Sequence, residues 1–200
     1  MNSVTKGFVG RGGRNDVQVP PGQYLTSDFP VLSAGPTPVV SQDAWELVVR
    51  TETGTEHRWD FAELTALGVV GVEADLHCVT GWSKLATSWR GVSLDAVLDS
   101  VGHTTSEHVL AHSYGGYTTN MPLQDLRDGQ AWLVFEYDGR PLTPEHGGPV
   151  RLLLPHLYLW KSAKWVRGLT LMSEATSGFW EGLGYHSYGD PWQEQRYWGD

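Results

Sequence analysis

One cysteine, Cys78, stands in 200 residues, so no internal disulfide is open to the chain. The fold therefore owes nothing to an oxidising compartment. Charge is sparse too: charged residues make up 18%, acidic residues outnumber basic ones 23 to 14, and the formal net charge is -9. An excess of that sign excludes nucleic acid and anionic membrane as the main partner. No apolar run approaches the roughly 20 residues that cross a bilayer. The first stretch, MNSVTKGFVGRGGRNDVQVPPGQ, has no apolar h-region and no adjacent arginines. Neither a secretory nor a twin-arginine signal is expected, and the expected address is the cytoplasm. Zinc patterns of the HExxH or CxxC kind are missing, as are glycine loops of the GxGxxG or Walker type. His108 and His112 stand four apart, but in a β-like run that spacing separates them by about 13 Å.

What is present is a large chain for one core, 40% hydrophobic, with ten Trp and eight Tyr. Two hundred residues bury a sizeable core, and rings in this number line cofactor pockets and interfaces as well as cores. Residues 1–24 read as an extended or disordered arm, because GRGG and VPPGQ form no regular element. FPVLSAGPTP holds enough apolar residues to be bound down. No linker appears inside residues 40–175, and residues 25–200 read as one domain.

Trp45 to Thr51 has the β-branched, apolar character of a strand. Asp60 caps a short helix, FAELTAL, that Gly68 stops, and Ser93 caps a second, LDAVLDSV, that Gly102 stops. Between the helices, Val69 to His77 reads as a buried strand leading to Cys78, followed by a short Gly/Ser/Thr/Trp loop segment. Downstream the chain is strand-rich: EHVLAHS, YTTNMP, AWLVFEY with its Asp138-Gly139 turn, Val150 to Leu154, and Lys164 to Met172. Strands with inserted short helices, without regular βαβ alternation, predict an α+β fold with a mixed sheet. The last residues, GFWEGLGYHSYGDPWQEQRYWGD, predict a packed coil that covers something.

A lone thiol at the mouth of a loop suits a soft metal ligand or a nucleophile. His77, Thr80, Ser83 and Lys84 crowd the same loop and are placed to hydrogen-bond around it. Arg151, Lys161, Lys164 and Arg167 concentrate positive charge within seventeen residues of an acidic chain, as an anionic phosphate group requires.

The segment DLHCVTGWSKLATSWRGVSLDAVL, with AHSYGGYTTNMPLQDL, DGRPLTPEHGGPVRLLLP, LWKSAKWVRGLTLM and the tail GFWEGLGYHSYGDPW, resembles the molybdopterin-binding domain of sulfite oxidase-type oxidoreductases. The likeness runs in family order over about residues 25 to 198 and is greatest to the small, single-domain bacterial branch. It implies a mixed α+β domain around one molybdenum-molybdopterin per chain. It implies that Cys78 is the thiolate ligand to molybdenum and that a tyrosine near the metal comes from the tail, at Tyr185. His146 and Arg151 are implied to hold the pterin, and Ser162, Ala163 and Lys164 its phosphate end. His112 and Ser113 fall where the family has a side chain near the cofactor, Phe29 to Ser33 match a cofactor-contacting part of the arm, and His77 joins this set beside the thiolate. The family's basic arm motif, Lys-Arg-Asn, is Val31, Leu32 and Ser33 here, which turns expectation away from sulfite.

The expected function is a two-electron oxygen-atom transfer on a small S- or N-oxide type substrate. Electrons would be exchanged with a separate protein partner. The alternatives are a metal-free hydrolase or transferase with His112, His146 or His186 as base to Cys78, and a non-catalytic binding module using the aromatic tail.

Overall fold

The computed structural model describes residues 18–200. The expected arm lies outside the described residues as far as residue 17. The elements are β1 (Tyr24–Leu25), β2 (Glu46–Arg50), β3 (Glu56–Asp60), α1 (Phe61–Ala66), β4 (Val69–His77), β5 (Trp82–Ser93), α2 (Leu94–Val101), β6 (His108–Ser113), β7 (Thr118–Pro122), β8 (Trp132–Tyr137), β9 (Arg140–Pro141), β10 (Arg151–Leu153) and β11 (Val166–Met172).

Two mixed sheets result, as the α+β expectation requires. One runs β1-β5-β8-β10, with β4 added to β5 and β9 to β8; the other runs β3-β2-β11-β6-β7. The parallel pairs are β1 with β5 and β11 with β2. Strand periodicity explains how the first sheet is buried on both faces. On β8, Leu133 and Phe135 enter the main core, while Val134 enters a second cluster; on β10, Leu152 and Leu153 divide the same way. The main core adds Trp45, Leu47 and Val49 of β2 and Leu94, Val97 and Leu98 of α2. The second cluster holds Leu76, Cys78, Trp82 and Trp89, with Phe29 of the arm packed against it.

Both helix caps form as their sequences dictate. Asp60 accepts from the Glu63 amide at 2.8 Å while Glu63 accepts from the Asp60 amide at 2.9 Å, a reciprocal box. Ser93 accepts from the Asp95 amide at 3.1 Å.

Three strands depart from expectation, the first being β4, expected to be buried, of which only Leu76 and His77 are buried while Val70 is exposed. The segment after Cys78 is not a loop but the twelve-residue β5, paired to β4 through a turn in which the Cys78 amide donates to the Trp82 carbonyl at 2.9 Å. Its polar residues hid it: Ser83 and Thr87 are buried, and their hydroxyls bond His77 and the Ala74 carbonyl on the neighbouring strand. Glu56–Asp60, EHRWD, is an edge strand whose charges pair across to β2 through Arg58 and Glu46 at 3.1 Å, a pattern that reads as loop in one dimension.

Gly91 marks where β5 and β8 shift register. A Cβ there would lie 2.3 Å from the Leu133 carbonyl oxygen and 2.7 Å from the Val134 Cα. Backbone cannot swing aside as a side chain can, so Gly91→Ala is expected to cost at least about 1–3 kcal/mol, measured by urea unfolding.

Candidate cofactor and active site

The β4–β5 hairpin holds Cys78 at its turn, 6% exposed. The Thr80 hydroxyl donates to its sulfur at 3.1 Å, and Gln23 of the arm donates to its carbonyl at 3.1 Å. Burial pushes the thiol up from its ordinary value, with the Thr80 hydrogen bonds pulling the other way. The arm is tied to this hairpin, since the Tyr24 amide donates to the Gly81 carbonyl at 2.8 Å and Lys84 bonds the Ser27 carbonyl.

Cys78 opens on a cavity of about 630 Å³, walled by the arm (Phe29 to Gly35), Tyr114 to Tyr117, Trp160 to Trp165 and the tail aromatics. That is the size range of small-molecule and cofactor sites. Arg151 lies in its wall, fully buried, and burial depresses its guanidinium to about 10. It donates to the carbonyls of His146 at 2.9 Å and Ser162 at 3.0 Å, while its Nε has no partner. Lys164 donates to the carbonyls of Leu32 at 2.8 Å and Glu145 at 2.6 Å. Burial first, then Arg151, bring its ammonium down to about 8. Neither cation has a carboxylate partner among the described residues. Two neighbouring cations without an anion are expensive, and they fit a site that receives phosphate.

His146 stacks on Phe29 with ring centroids 4.1 Å apart, and its Nδ1 is buried without a partner. Burial, followed by the charges of Arg151 and Lys164, lowers its pKa. Gly147 turns here because a Cβ would meet Lys164 and Arg151 at 3.0 Å, a packing reason for one member of the Gly147-Gly148 pair. Ser162 accepts from the Leu154 amide at 2.9 Å, and Ala163 accepts through its carbonyl from the Leu152 amide at 2.8 Å, so the KSAK segment is laced to β10. Tyr185 stands in the wall against Trp180 and Trp160, at 4.9 and 5.2 Å between centroids. Ser33 lines the wall too, its hydroxyl donating to the Gly35 carbonyl at 2.7 Å.

Four expected site residues are not in the cavity wall; His146 meets it only through Phe29, on which it stacks, and three lie elsewhere. His77 turns away from the cavity, as strand alternation next to Cys78 requires; its Nδ1 meets the Ser83 hydroxyl at 2.8 Å and its ring packs against Trp192. His112 and Ser113 lie at a second, polar cavity of about 370 Å³ on the outer sheet, with Arg50 and Arg167. His112 Nε2 is 2.9 Å from the Thr170 hydroxyl, and Ser113 Oγ is buried without a partner. Their place in the main cavity is taken by Tyr114 to Tyr117, one residue beyond the end of β6. That wall, together with Trp82 and its unpartnered indole Nε1, was not singled out by motif. The Gly115-Gly116 turn was the available signal, since it lets the chain leave the sheet there.

A metal-free Cys–His pair is not assembled. Among the described residues the hydrogen-bond donor to Cys78 sulfur is Thr80, not an imidazole. His186 Nδ1 accepts from the amides of Tyr188 and Gly189.

The residues around this cavity fit a bound pterin phosphate: two cations without a carboxylate partner, unpartnered buried nitrogens on Arg151 and Trp82 in the wall and on His146 behind Phe29, and a thiol in the lining. The family model described as oxidoreductase molybdopterin binding domain matches residues 34–180. The chain is 42% identical over 182 residues to a Bacillus subtilis (strain 168) protein named only as the oxidoreductase YuiH, over 90% of this chain and 92% of that one. It is 30% identical over 111 residues to mitochondrial sulfite oxidase of Rattus norvegicus, over 50% of this chain but 20% of that protein. Among solved structures, the sulfane dehydrogenase SoxCD from Paracoccus pantotrophus shares the fold, with a TM-score of 0.63 at 19% identity, over 70% of this chain and 41% of that one. With the family match covering most of its length, the chain belongs to the oxidoreductase molybdopterin-binding domain family and is a molybdopterin-dependent oxidoreductase of the sulfite oxidase type.

Proposed function

We propose that the protein catalyses two-electron oxygen-atom transfer on a small S- or N-oxide type substrate, with Cys78 as the thiolate ligand to molybdenum. The observation that carries this is the presence, in the wall of one cavity, of a buried thiol and two cations that lack a carboxylate partner among the described residues. Molybdenum-molybdopterin, when bound, supplies the oxygen-atom exchange and the redox chemistry. The chain's own residues do the rest. Arg151, on β10, and Lys164 hold the phosphate end, with the Ser162 hydroxyl and Ala163 carbonyl tying the segment before Lys164 to β10. His146 offers Nδ1 to the pterin, held in plane by Phe29 of the arm, and Ser33 shapes the adjoining wall. Thr80 orients the Cys78 sulfur, which would hold the molybdenum as a thiolate. Tyr185 presents a hydroxyl to the substrate oxygen; burial raises its pKa, so it acts as a neutral donor.

Electrons reach or leave the site through a separate redox protein. No helix among the described residues is long and apolar enough to cross a membrane. Cytoplasmic placement is part of the proposal and is checked by cell fractionation.

Molybdenum analysis with X-ray absorption on protein from a cofactor-making host tests the ligand assignment. One molybdenum per chain and one sulfur ligand fewer in Cys78→Ser is expected; an unchanged sulfur count would reject the thiolate role.

Lys164→Met is expected to weaken cofactor retention by about 10–100-fold. Stability of the cofactor-free protein should stay within about 1 kcal/mol, because relief from Arg151 offsets two lost hydrogen bonds. The pH dependence has a fixed sign. The folded ammonium sits at about 8, below the ordinary 10.5, so the fold disfavours its charge. This group's contribution to cofactor-free stability therefore rises with pH between those values. Phosphate needs the charged form, so cofactor retention falls above about pH 8. Urea unfolding of the cofactor-free protein at several pH values measures the first, and pterin fluorescence after oxidation measures the second.

A further inference from the structure

We infer that the second cavity, on the outer face of the β3-β2-β11-β6-β7 sheet, is a binding site for a phosphate-type oxyanion. It is separate from the cofactor cavity and independent of the reaction carried out there. It takes up Arg167 and His112, which the sequence marked as cationic or cofactor-facing and which the cofactor cavity leaves out. The cavity holds about 370 Å³, within the range of small-molecule sites. Arg50 of β2, Arg58 of β3 and Arg167 of β11 line it, with His112 of β6 and Thr170 of β11. In a chain of 14 basic and 23 acidic residues, three guanidiniums over one sheet face reverse the local sign.

The backbone is shaped to bring them together. Val166 and Leu169 of β11 both enter the main core, although strict alternation puts residues three apart on opposite faces. A bulge reconciles the two: Val166 pairs with Ser113 and Gly168 with His112, two steps on β11 against one on β6. Arg167 and Gly168 therefore both stand on the cavity side, as bulges re-aim side chains. Gly168 leaves the floor bare. A Cβ there would lie 3.0 Å from the Val48 carbonyl oxygen and 3.9 Å from the His112 Cβ.

Glu46 and Glu56 also line the cavity, and both are taken. Glu56 pairs with Arg50 and, at 2.7 Å, with Arg58; Glu46 pairs with Arg58 at 3.1 Å. Two carboxylates balance two guanidiniums and leave Arg167 as surplus charge. Its guanidinium lies over the Tyr114 ring at 5.1 Å, with no carboxylate partner among the described residues. Burial first, then the charges of Arg167 and Arg50, lower the pKa of His112, so two guanidiniums converge on one imidazole. The Arg50 pair is more than half exposed on the arginine side, and pairs of that kind are weak. Arg50 is thus free to turn towards a ligand. A tetrahedral oxyanion offers oxygens to both forks at once, where a lone carboxylate serves one.

The test uses the cofactor-loaded protein, in which the cofactor keeps the titrant out of the main cavity. Inorganic phosphate, glycerol 3-phosphate and acetate are titrated by calorimetry at low ionic strength, while NMR follows the His112 ring. Expected is saturable phosphate binding that shifts the His112 resonances and is at least about tenfold tighter than acetate binding. Arg167→Gln and Arg50→Gln, at exposed positions, should each weaken it about tenfold or more. Arg90→Gln, an exposed arginine of β5 paired with Glu136 away from the cavity, should leave it unchanged. Tighter binding of glycerol 3-phosphate makes the ligand a phosphate ester, and tighter binding of inorganic phosphate makes it the free ion; either upholds the site. Four results overturn it: no saturable binding, acetate binding as tightly, binding that survives either cavity substitution or falls equally in Arg90→Gln, and binding that leaves His112 unmoved.

Discussion

Cys78→Ser is expected to lower turnover of the cofactor-loaded protein by more than about 100-fold. Removing a group that merely supports a metal ligand costs about 10–100-fold in affinity or activity, and loss of the ligand exceeds that. The fold survives, because Thr80, which donates to the sulfur at 3.1 Å, donates as readily to a serine oxygen in the same turn. Circular dichroism and urea unfolding should therefore match the parent while kcat collapses. The cofactor-free protein adds a second readout. Burial holds the thiol above its ordinary value, and the nucleophile in alkylation is the thiolate. Iodoacetamide should label Cys78 slowly at neutral pH and faster as pH rises. Fast labelling near pH 7 would contradict the shielded thiol, and parent-like turnover of the serine variant would reject Cys78 as the ligand.

Lys161→Met is expected to have the largest effect on stability, a loss of about 3–5 kcal/mol. Lys161 is fully buried and its ammonium is surrounded: the Asn120 carbonyl at 2.8 Å, the Asn120 side-chain oxygen at 2.9 Å, the Ser187 carbonyl at 2.6 Å and the Glu181 carboxylate. Glu181 in turn takes the Thr119 hydroxyl at 2.8 Å and the Trp160 indole. Removing the lysine leaves a buried carboxylate without its cation. The same ammonium ties β7 to the tail, so the Trp160–Tyr185–Trp180 group loses its anchor and activity falls with stability. Urea unfolding of Lys161→Met, Glu181→Met and the double variant checks this. The double variant should lose less than the sum of the singles. A single-variant loss below about 1 kcal/mol would show that the pair is not structural.

The sequence reading went furthest where chemistry is local. Asp60 and Ser93 announced their helices because a cap is made within three residues. Asp138-Gly139 announced the β8–β9 hairpin because both residues take positive φ there. Cys78 was found because a thiol at a strand end is conspicuous in a chain with no other. Trp82–Ser93 was missed because its polar residues are satisfied by a strand that only the hairpin brings near. His112 was misplaced because nothing local tells which face of a sheet strand will meet a cofactor.

By itself, then, the sequence determined the family, the α+β character, the thiol and two of the four expected cations, Arg151 and Lys164, all set by residue identity and short-range spacing; Lys161 is instead paired with Glu181 and Arg167 lies at the second cavity. Tertiary structure alone decided which groups face the cavity. Phe29 reaches His146 from 117 positions away, Leu32 meets Lys164 from 132 positions away, and Tyr114 to Tyr117 replace His112 and Ser113 at the wall. Strand periodicity fixes only that neighbours point to opposite faces. Which face meets the pocket depends on sheet pairing between segments far apart in the chain, and no local pattern encodes it.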